Sequence, residues 1–303
     1  KLPQIPKTKL FKFSEDLSAE LKKDQPDIMG FSSYMWNTSL SDIFMKRIKE
    51  IFPNVITVSG GPNFPSDEVE QFEYLKKRPW IDYVVVKEGE HAFYRLVSEL
   101  INKSSIEIIS DLPNLVFIKN GKFYRHKKIE RIMDLTEIPS PYLSGKLDSF
   151  MDGKLLPIIQ TNRGCPFTCT FCTEGQGYWT KVKVKSTEVV AGEISYISRK
   201  MNSLERSKKR TDFYIADSNF GMYKEDLNTC KALAAEQKKT GYPKYISVTT
   251  GKNKQDRILE AAKIVNGAMK ITGSVQSLDP EILENVSRKN ISSTQIVDMA
   301  LQS

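Results

Sequence analysis

The sequence predicts an α/β protein built as two domains. Three observations carry this reading. Apolar strand-like runs alternate with amphipathic helical patterns in an N-terminal and again in a C-terminal stretch. Glycine and polar clusters follow one strand after another. An Asn-Gly hairpin signal and a proline-stiffened crossing separate the two stretches. Alternation of this kind builds parallel sheets covered by crossover helices, with functional groups at the carboxyl ends of the strands. The expected organisation is an α/β domain over residues 1–110, a hairpin and linker over 111–150, and a partial β/α barrel of four strand–helix units over 151–303.

At 303 residues the chain can bury two cores. Its 40% hydrophobic and 27% charged residues are ordinary for a soluble globular protein. No window approaches 18 uninterrupted apolar residues, so no membrane span is expected. Lys1-Leu2-Pro3 is not followed by an apolar signal segment. Four cysteines, three of them clustered, suggest metal chemistry in a reducing, cytoplasmic compartment rather than a disulfide framework. The net charge of +8 is scattered. Lys208-Lys209-Arg210 reads as a solvated loop, and no nucleic-acid module is present. Lys181, Lys183 and Lys185 share one face of an extended segment, which meets either solvent or an anionic ligand. The start at Lys1 and the end on a helical pattern are what a piece of a longer protein would give.

Along the first domain, Lys9–Phe13 alternates as a short strand, and Ser14 caps a helix over Glu15–Lys23 that Pro26 stops. Ile28–Ser32 is a strand running into the polar loop Ser33–Thr38. Ser39, with Asp42 three residues on, reads as a capping box for a helix with the stripe Leu40, Ile43, Phe44, Ile48. Val55–Val58 is a buried strand ending in Ser59-Gly60-Gly61-Pro62. Ile81–Val86 is another, followed by Glu88-Gly89-Glu90 and a helix over His91–Ile101. The glycine pair either lets backbone approach a ligand or merely turns the chain before Pro62.

In the connection, Leu115–Ile118 and Lys122–Arg125 flank Asn120-Gly121, a two-residue hairpin signal. His126 beside it reads as exposed polar surface, and Ile138-Pro139-Ser140-Pro141-Tyr142 as an extended crossing. In the second domain, Leu155–Ile159 reads as a buried strand. Ser186 or Thr187 caps a helix with the stripe Val190, Ile194, Ile197. Phe213–Ala216 is the second strand, ending in Asp217-Ser218-Asn219, and the helix Glu225–Lys239 carries Cys230 as a packing residue. Tyr245–Val248 and Met269–Val275 are the third and fourth strands, ending at Thr250 and at Gln276-Ser277. Asp279-Pro280 opens a further helix.

The chemistry centres on Gly164-Cys165-Pro166-Phe167-Thr168-Cys169-Thr170-Phe171-Cys172, a C-x3-C-x2-C loop after the first strand of the second domain. Thiolates suit zinc or iron–sulfur clusters. A structural zinc wants four ligands, and no fourth is evident: Cys230 lies in a helix, and His91 and His126 are remote in sequence. A 4Fe–4S cluster on three cysteines would leave one iron open for chemistry. A zinc knuckle remains the alternative.

The loop, with Phe171 before its last cysteine, resembles the signature of the radical S-adenosylmethionine (SAM) superfamily. The resemblance implies a 4Fe–4S cluster on Cys165, Cys169 and Cys172 whose fourth iron is chelated by SAM, and reductive cleavage to a 5′-deoxyadenosyl radical. It places Phe171 against the adenine, Asp217, Ser218 and Asn219 at the methionyl amino group, and Gln276 and Ser277, with Leu283 and Arg288, near the ribose. Gly30–Asn37, Ser59–Pro62 and Glu88–Glu90 resemble the Rossmann-like cobalamin-binding domain found ahead of many radical SAM barrels, with Ser32, Ser33, Gly60 and Gly61 bordering cobalamin. Asp134–Pro141 also resembles the segment before the cluster loop in that type. The family's first strand, its Asp-x-His-x-x-Gly loop and the last two strands of a six-stranded barrel are not matched. The implied function is a cobalamin-dependent radical SAM enzyme that methylates or rearranges a small-molecule substrate, drawing electrons from a flavodoxin- or ferredoxin-like reductant. A non-catalytic iron–sulfur carrier and a cobalamin module with a structural metal knuckle are the competing functions.

Overall fold

The structure is a computed structural model that describes residues 14–23, 25–272, 275–289 and 291–302. The expected strand Lys9–Phe13 lies outside the described residues. The described residues divide into two compact units, 14–132 and 133–302. No helix among the described residues is long and apolar enough to cross a membrane.

The first unit runs α1 (Ser14–Leu21), β1 (Ile28–Ser32), α2 (Thr38–Ile51), β2 (Ile56–Gly60), α3 (Glu68–Lys76), β3 (Tyr83–Val85), α4 (Glu90–Ile101), α5 (Ile106–Ser110), β4 (Leu115–Lys119) and β5 (Lys122–Arg125). Its five strands form one sheet in the order β1-β2-β3-β4-β5. β1, β2 and β3 are parallel, while β4 and β5 add antiparallel. Period-2 alternation sends neighbouring side chains to opposite faces. Val58, Tyr83, Val85, Leu115 and Phe117 accordingly join Ala92, Leu96 and Ile109 in one core. Val84 and Val116 face the other way and join Met45, Leu75 and Ile81.

Two expectations change here. The hairpin is part of the first sheet and not a linker, because Val84 pairs with Val116 and Val85 with Leu115. Its turn is the expected one: Asn120 and Gly121 both have positive φ, 51° and 74°. The α2 cap is misplaced. The helix starts at Thr38, and Asp42 is drawn away from the backbone by Arg78 Nε at 2.8 Å and Trp80 Nε1 at 3.3 Å.

The second unit runs β6 (Ile158–Ile159), β7 (Asn162–Arg163), β8 (Lys183–Val184), α6 (Thr187–Asn202), β9 (Asp212–Phe220), α7 (Lys224–Thr240), β10 (Tyr245–Thr250), α8 (Gln255–Ile264), α9 (Pro280–Asn285) and α10 (Ser293–Gln302). The parallel sheet has the order β10-β9-β6, and β7 pairs antiparallel with β8. Phe213 and Ile215 of β9 and Ile246 of β10 pack with Val190, Ile194, Ile197 and Met201 of α6 and with Cys230 and Leu233 of α7. The helix caps are local and appear as expected: Ser186 Oγ accepts from Val189 N at 3.2 Å, and Asp279 Oδ1 from Glu281 N at 2.9 Å.

Three strands differ from expectation. Leu155, Leu156 and Ile158 are exposed, and only Ile159 of that run enters the core. β9 continues through Asp217-Ser218-Asn219, so these residues lie in the strand and not on a loop beyond it. Of the expected fourth strand, Gly273 and Ser274 lie outside the described residues, and the described part shows one parallel bridge, Ile246 to Met269. There Thr250 Oγ1 reaches Thr272 O at 2.6 Å and takes Thr272 N at 3.0 Å, replacing a backbone ladder with a side chain.

Phe213 is fully buried and meets the Tyr242 ring edge-on at a centroid distance of 6.4 Å. Phe213→Ala is expected to cost about 3–5 kcal/mol by urea denaturation.

Candidate functional site

The cysteine loop leaves β7 with Gly164 at φ 117°, a conformation that side chains disfavour. Cys165 N donates to Trp179 O at 3.0 Å, and Cys172 N to Cys169 O at 3.1 Å. The chain then folds tightly back on itself. A Cβ on Gly175 would lie 2.2 Å from Cys169 O, so this position has room only for glycine. Cys169 is buried, Cys165 and Cys172 are half-buried, and all three are free thiols.

Polar and charged groups from separate elements converge on the sulfurs. Asn219, at the end of β9 and 3% exposed, points Nδ2 at Cys165 Sγ from 3.2 Å. Arg288 Nη1 lies 4.0 Å from Cys169 Sγ, and its guanidinium sits 5.7 Å from the Phe171 ring centroid. Lys252, after β10, holds its ammonium 5.4 Å from the Phe167 ring centroid. Burial holds the Lys252 pKa below the ordinary lysine value, and the Arg288 charge adds to this while the three cysteines oppose it. Two cations and an amide donor around three sulfurs suit an anionic, sulfur-ligated group. Among the described residues no three His, Cys, Asp or Glu side chains gather closely enough to hold one metal ion. Three thiolates with an amide and cations beside them are a donor set that an iron–sulfur cluster fits.

Behind this loop lies a buried carboxylate node. Asp217, 3% exposed, accepts from Thr161 N at 2.8 Å, Asn162 N at 3.2 Å, Asn162 Nδ2 at 2.9 Å and the Thr161 hydroxyl. Its carboxylate is thus spent on the strand that leads to the cysteines. Asp226, on the first turn of α7, accepts from Gly221 N at 2.7 Å and Tyr223 N at 2.9 Å, with Asn162 Nδ2 at 3.4 Å joining the two carboxylates. Burial pushes Asp217 up to about 6 and Asp226 up to about 7, against the pull of their backbone donors. Ser218 is half-buried and alternates to the other face of β9. Lys185 faces neither solvent nor ligand: it pairs at 3.3 Å with Glu193, which is itself buried. Phe171 is 52% exposed, so core packing does not account for it. Gln276 is exposed, while Ser277 Oγ accepts from Asp279 N at 3.1 Å. Cys230 is fully buried in the core, with burial pushing its thiol up to about 12.

In the first unit, Ser32, Ser33, Gly60 and Gly61 do come together at the carboxyl ends of β1 and β2. Ser33 N donates to Gly60 O at 2.6 Å, and Ser33 O accepts from Asn63 N at 3.1 Å. Gly61 has φ 129°, and a Cβ there would stand 2.5 Å from Ser33 O. Ser32 Oγ accepts from Asn37 Nδ2 at 2.9 Å, and Ser33 Oγ shares a hydrogen bond with Thr38 Oγ1 at 3.0 Å. Beside them Tyr34 and Trp36 stack at 4.7 Å, with Met35 and Trp36 85% and 78% exposed. Glu88 serves the fold: it is buried and accepts from Ile132 N at 2.6 Å. His126 sits 3.5 Å from Asp111.

Sequence reasoning missed Lys252, Thr161, Asn162 and Asp226. Only Asp226 left a local signal, three residues after the Tyr223 cap position at the start of α7.

Residues 5–97 match the family described as B12 binding domain. A 2-(S-pantetheinyl)-carbapenam-3-carboxylate methyltransferase of Streptantibioticus cattleyicolor is 32% identical over 282 residues, covering 88% of this chain and 38% of that protein. The cobalamin-dependent radical SAM methyltransferase TokK of Streptomyces tokunonensis is 32% identical over 276 residues, covering 88% of this chain and 39% of TokK. The chain thus spans about two fifths of the length of these curated relatives. In fold it resembles the cobalamin-dependent S-adenosylmethionine radical enzyme OxsB, solved with aqua-cobalamin and S-adenosylmethionine bound. The TM-score is 0.69 at 19% identity, over 96% of this chain and 41% of OxsB.

Two outcomes are expected. Phe171→Ala should change stability by no more than about 0.5 kcal/mol, as for an exposed side chain free of the core. Asp226 holds a proton in the folded state that the unfolded chain releases near pH 4, so stability should fall as pH rises from about 4 to 7. Asp226→Asn removes that titration. Chemical denaturation at pH 4.5 and pH 7 should show the variant losing less stability over this interval than the parent, by on the order of 2 kcal/mol.

Proposed function

We propose, for a chain that carries a B12-binding domain and is homologous to cobalamin-dependent radical SAM methyltransferases, that it forms the cofactor-holding part of such an enzyme. Cys165, Cys169 and Cys172 hold three irons of a 4Fe–4S cluster and leave the fourth for the amino and carboxylate groups of SAM. Ser32, Ser33, Gly60 and Gly61 border cobalamin, and the Tyr34–Trp36 stack offers a flat ligand an apolar face. When bound, the reduced cluster supplies the electron that splits SAM to a 5′-deoxyadenosyl radical, and cobalamin supplies a transferable methyl group.

The chain's own residues bind and orient. The Asp217–Thr161–Asn162 node fixes the strand from which the cysteine loop departs. Lys252 and Arg288 supply positive charge beside the sulfurs, suiting both an anionic cluster and a carboxylate ligand. Phe171, exposed at the loop's end, offers a ring face to an adenine. Ser218, Gln276 and Ser277 are assigned to SAM, and Asn219 to the Cys165 sulfur. Asp217 is assigned a supporting part, since its oxygens are occupied. The substrate is a small molecule that accepts a methyl group, and the electron donor is a flavodoxin- or ferredoxin-like protein.

The observation that carries this reading is the convergence of Asn219 and Arg288, from distant parts of the chain, on two of the three loop sulfurs. Its test is anaerobic reconstitution of the complete gene product with iron and sulfide, followed by dithionite and SAM. The expected result is about four irons per chain and release of 5′-deoxyadenosine, which single alanine replacements of Cys165, Cys169 or Cys172 abolish. Stoichiometric zinc that resists replacement, with no 5′-deoxyadenosine, would overturn it.

A further inference from the structure

The family resemblance assigns Asn219 to the methionyl end of SAM, but the structure shows its amide already committed. Asn219 is 3% exposed, and its Nδ2 lies 3.2 Å from Cys165 Sγ. That separation is short for an N–H···S contact. The donor is rigidly aimed. Asn219 sits near the end of β9, two residues beyond Asp217, whose carboxylate is tied to Thr161 and Asn162. On its other side, Gly221 N is held by Asp226 at 2.7 Å. Both ends of the segment are therefore pinned by buried carboxylates, and burial leaves the Asn219 amide little room.

We propose that Asn219 is a positioning residue that sets the reduction potential of the cluster by donating a hydrogen bond to the Cys165 sulfur. The inference rests on the cluster assignment above. An N–H dipole aimed at a ligand sulfur stabilises the reduced cluster more than the oxidised one, because the reduced form carries one more negative charge on its sulfurs. Donation inside a buried site is stronger than in water. The effect acts on the one-electron uptake that precedes any chemistry on SAM, and it operates in the absence of SAM.

The test uses Asn219→Leu, which keeps the side-chain shape and removes the N–H, and Asn219→Gln, which keeps a donor. Each is made in the complete gene product, reconstituted anaerobically without SAM and poised at one fixed potential. The reduced fraction is read by electron paramagnetic resonance and visible absorption. At a poise where the parent is half reduced, the ratio of reduced to oxidised cluster is expected to fall about 3- to 10-fold in Asn219→Leu. Asn219→Gln should recover part of that loss. SAM affinity, measured by equilibrium binding, should change by less than about 3-fold.

An unchanged ratio in Asn219→Leu with wild-type iron content overturns the proposal. So does the opposite pattern, an unchanged ratio with SAM binding weakened more than about 10-fold, which returns Asn219 to the SAM site. If Asn219→Leu fails to retain iron, Asn219→Ala replaces it in the comparison with Asn219→Gln, and equal ratios in that pair overturn the proposal. If the parent itself assembles no cluster, the function proposed above falls, a result distinct from any of these.

Discussion

The second unit depends on one buried carboxylate. Asp217 faces away from solvent and gathers hydrogen bonds from Thr161 and Asn162, the residues just ahead of the cysteine loop. β6 has only two residues and β7 two more, too few to hold a loop in place by ladder alone. Side-chain bonding substitutes for the missing strand length. A buried acid that collects several donors is costly to disturb, since removing it strands each donor in turn. The aim of Asn219 at Cys165 inherits its rigidity from this node.

What the sequence revealed and what it hid divide by distance along the chain. The C-x3-C-x2-C loop, the Asn120-Gly121 turn and the Ser186 and Asp279 caps are local patterns, and each appears where expected. The Asp217 node joins residues 55 and 56 positions apart, and the Arg288 approach to Cys169 spans 119. No periodicity encodes such partners. The same reason explains the errors. Asp42 looked like a capping residue until Arg78, 36 positions on, claimed it. Asp217 looked like a ligand group beyond its strand because the strand's true length is set by pairing with β10 and β6. Lys185 was read as meeting solvent or an anionic ligand because Glu193, buried on α6, was its unseen partner.

The two candidate sites are assembled from different materials. Around the cysteines, side chains do the shaping: an amide, a guanidinium, an ammonium and two aromatic rings. At the ends of β1 and β2, much of the shape comes from main chain, through Ser33 N to Gly60 O and Ser33 O to Asn63 N. Gly61 is the one position there where a side chain is sterically refused.

A wall made of peptide groups is insulated from drift. Substitutions at Ser32 or Asn63 replace what hangs from the backbone and keep the main-chain hydrogen bonds, so long as Gly61 stays bare. A platform of this construction can persist while the flanking letters turn over, whereas the sulfur-bearing loop has far fewer alternative spellings.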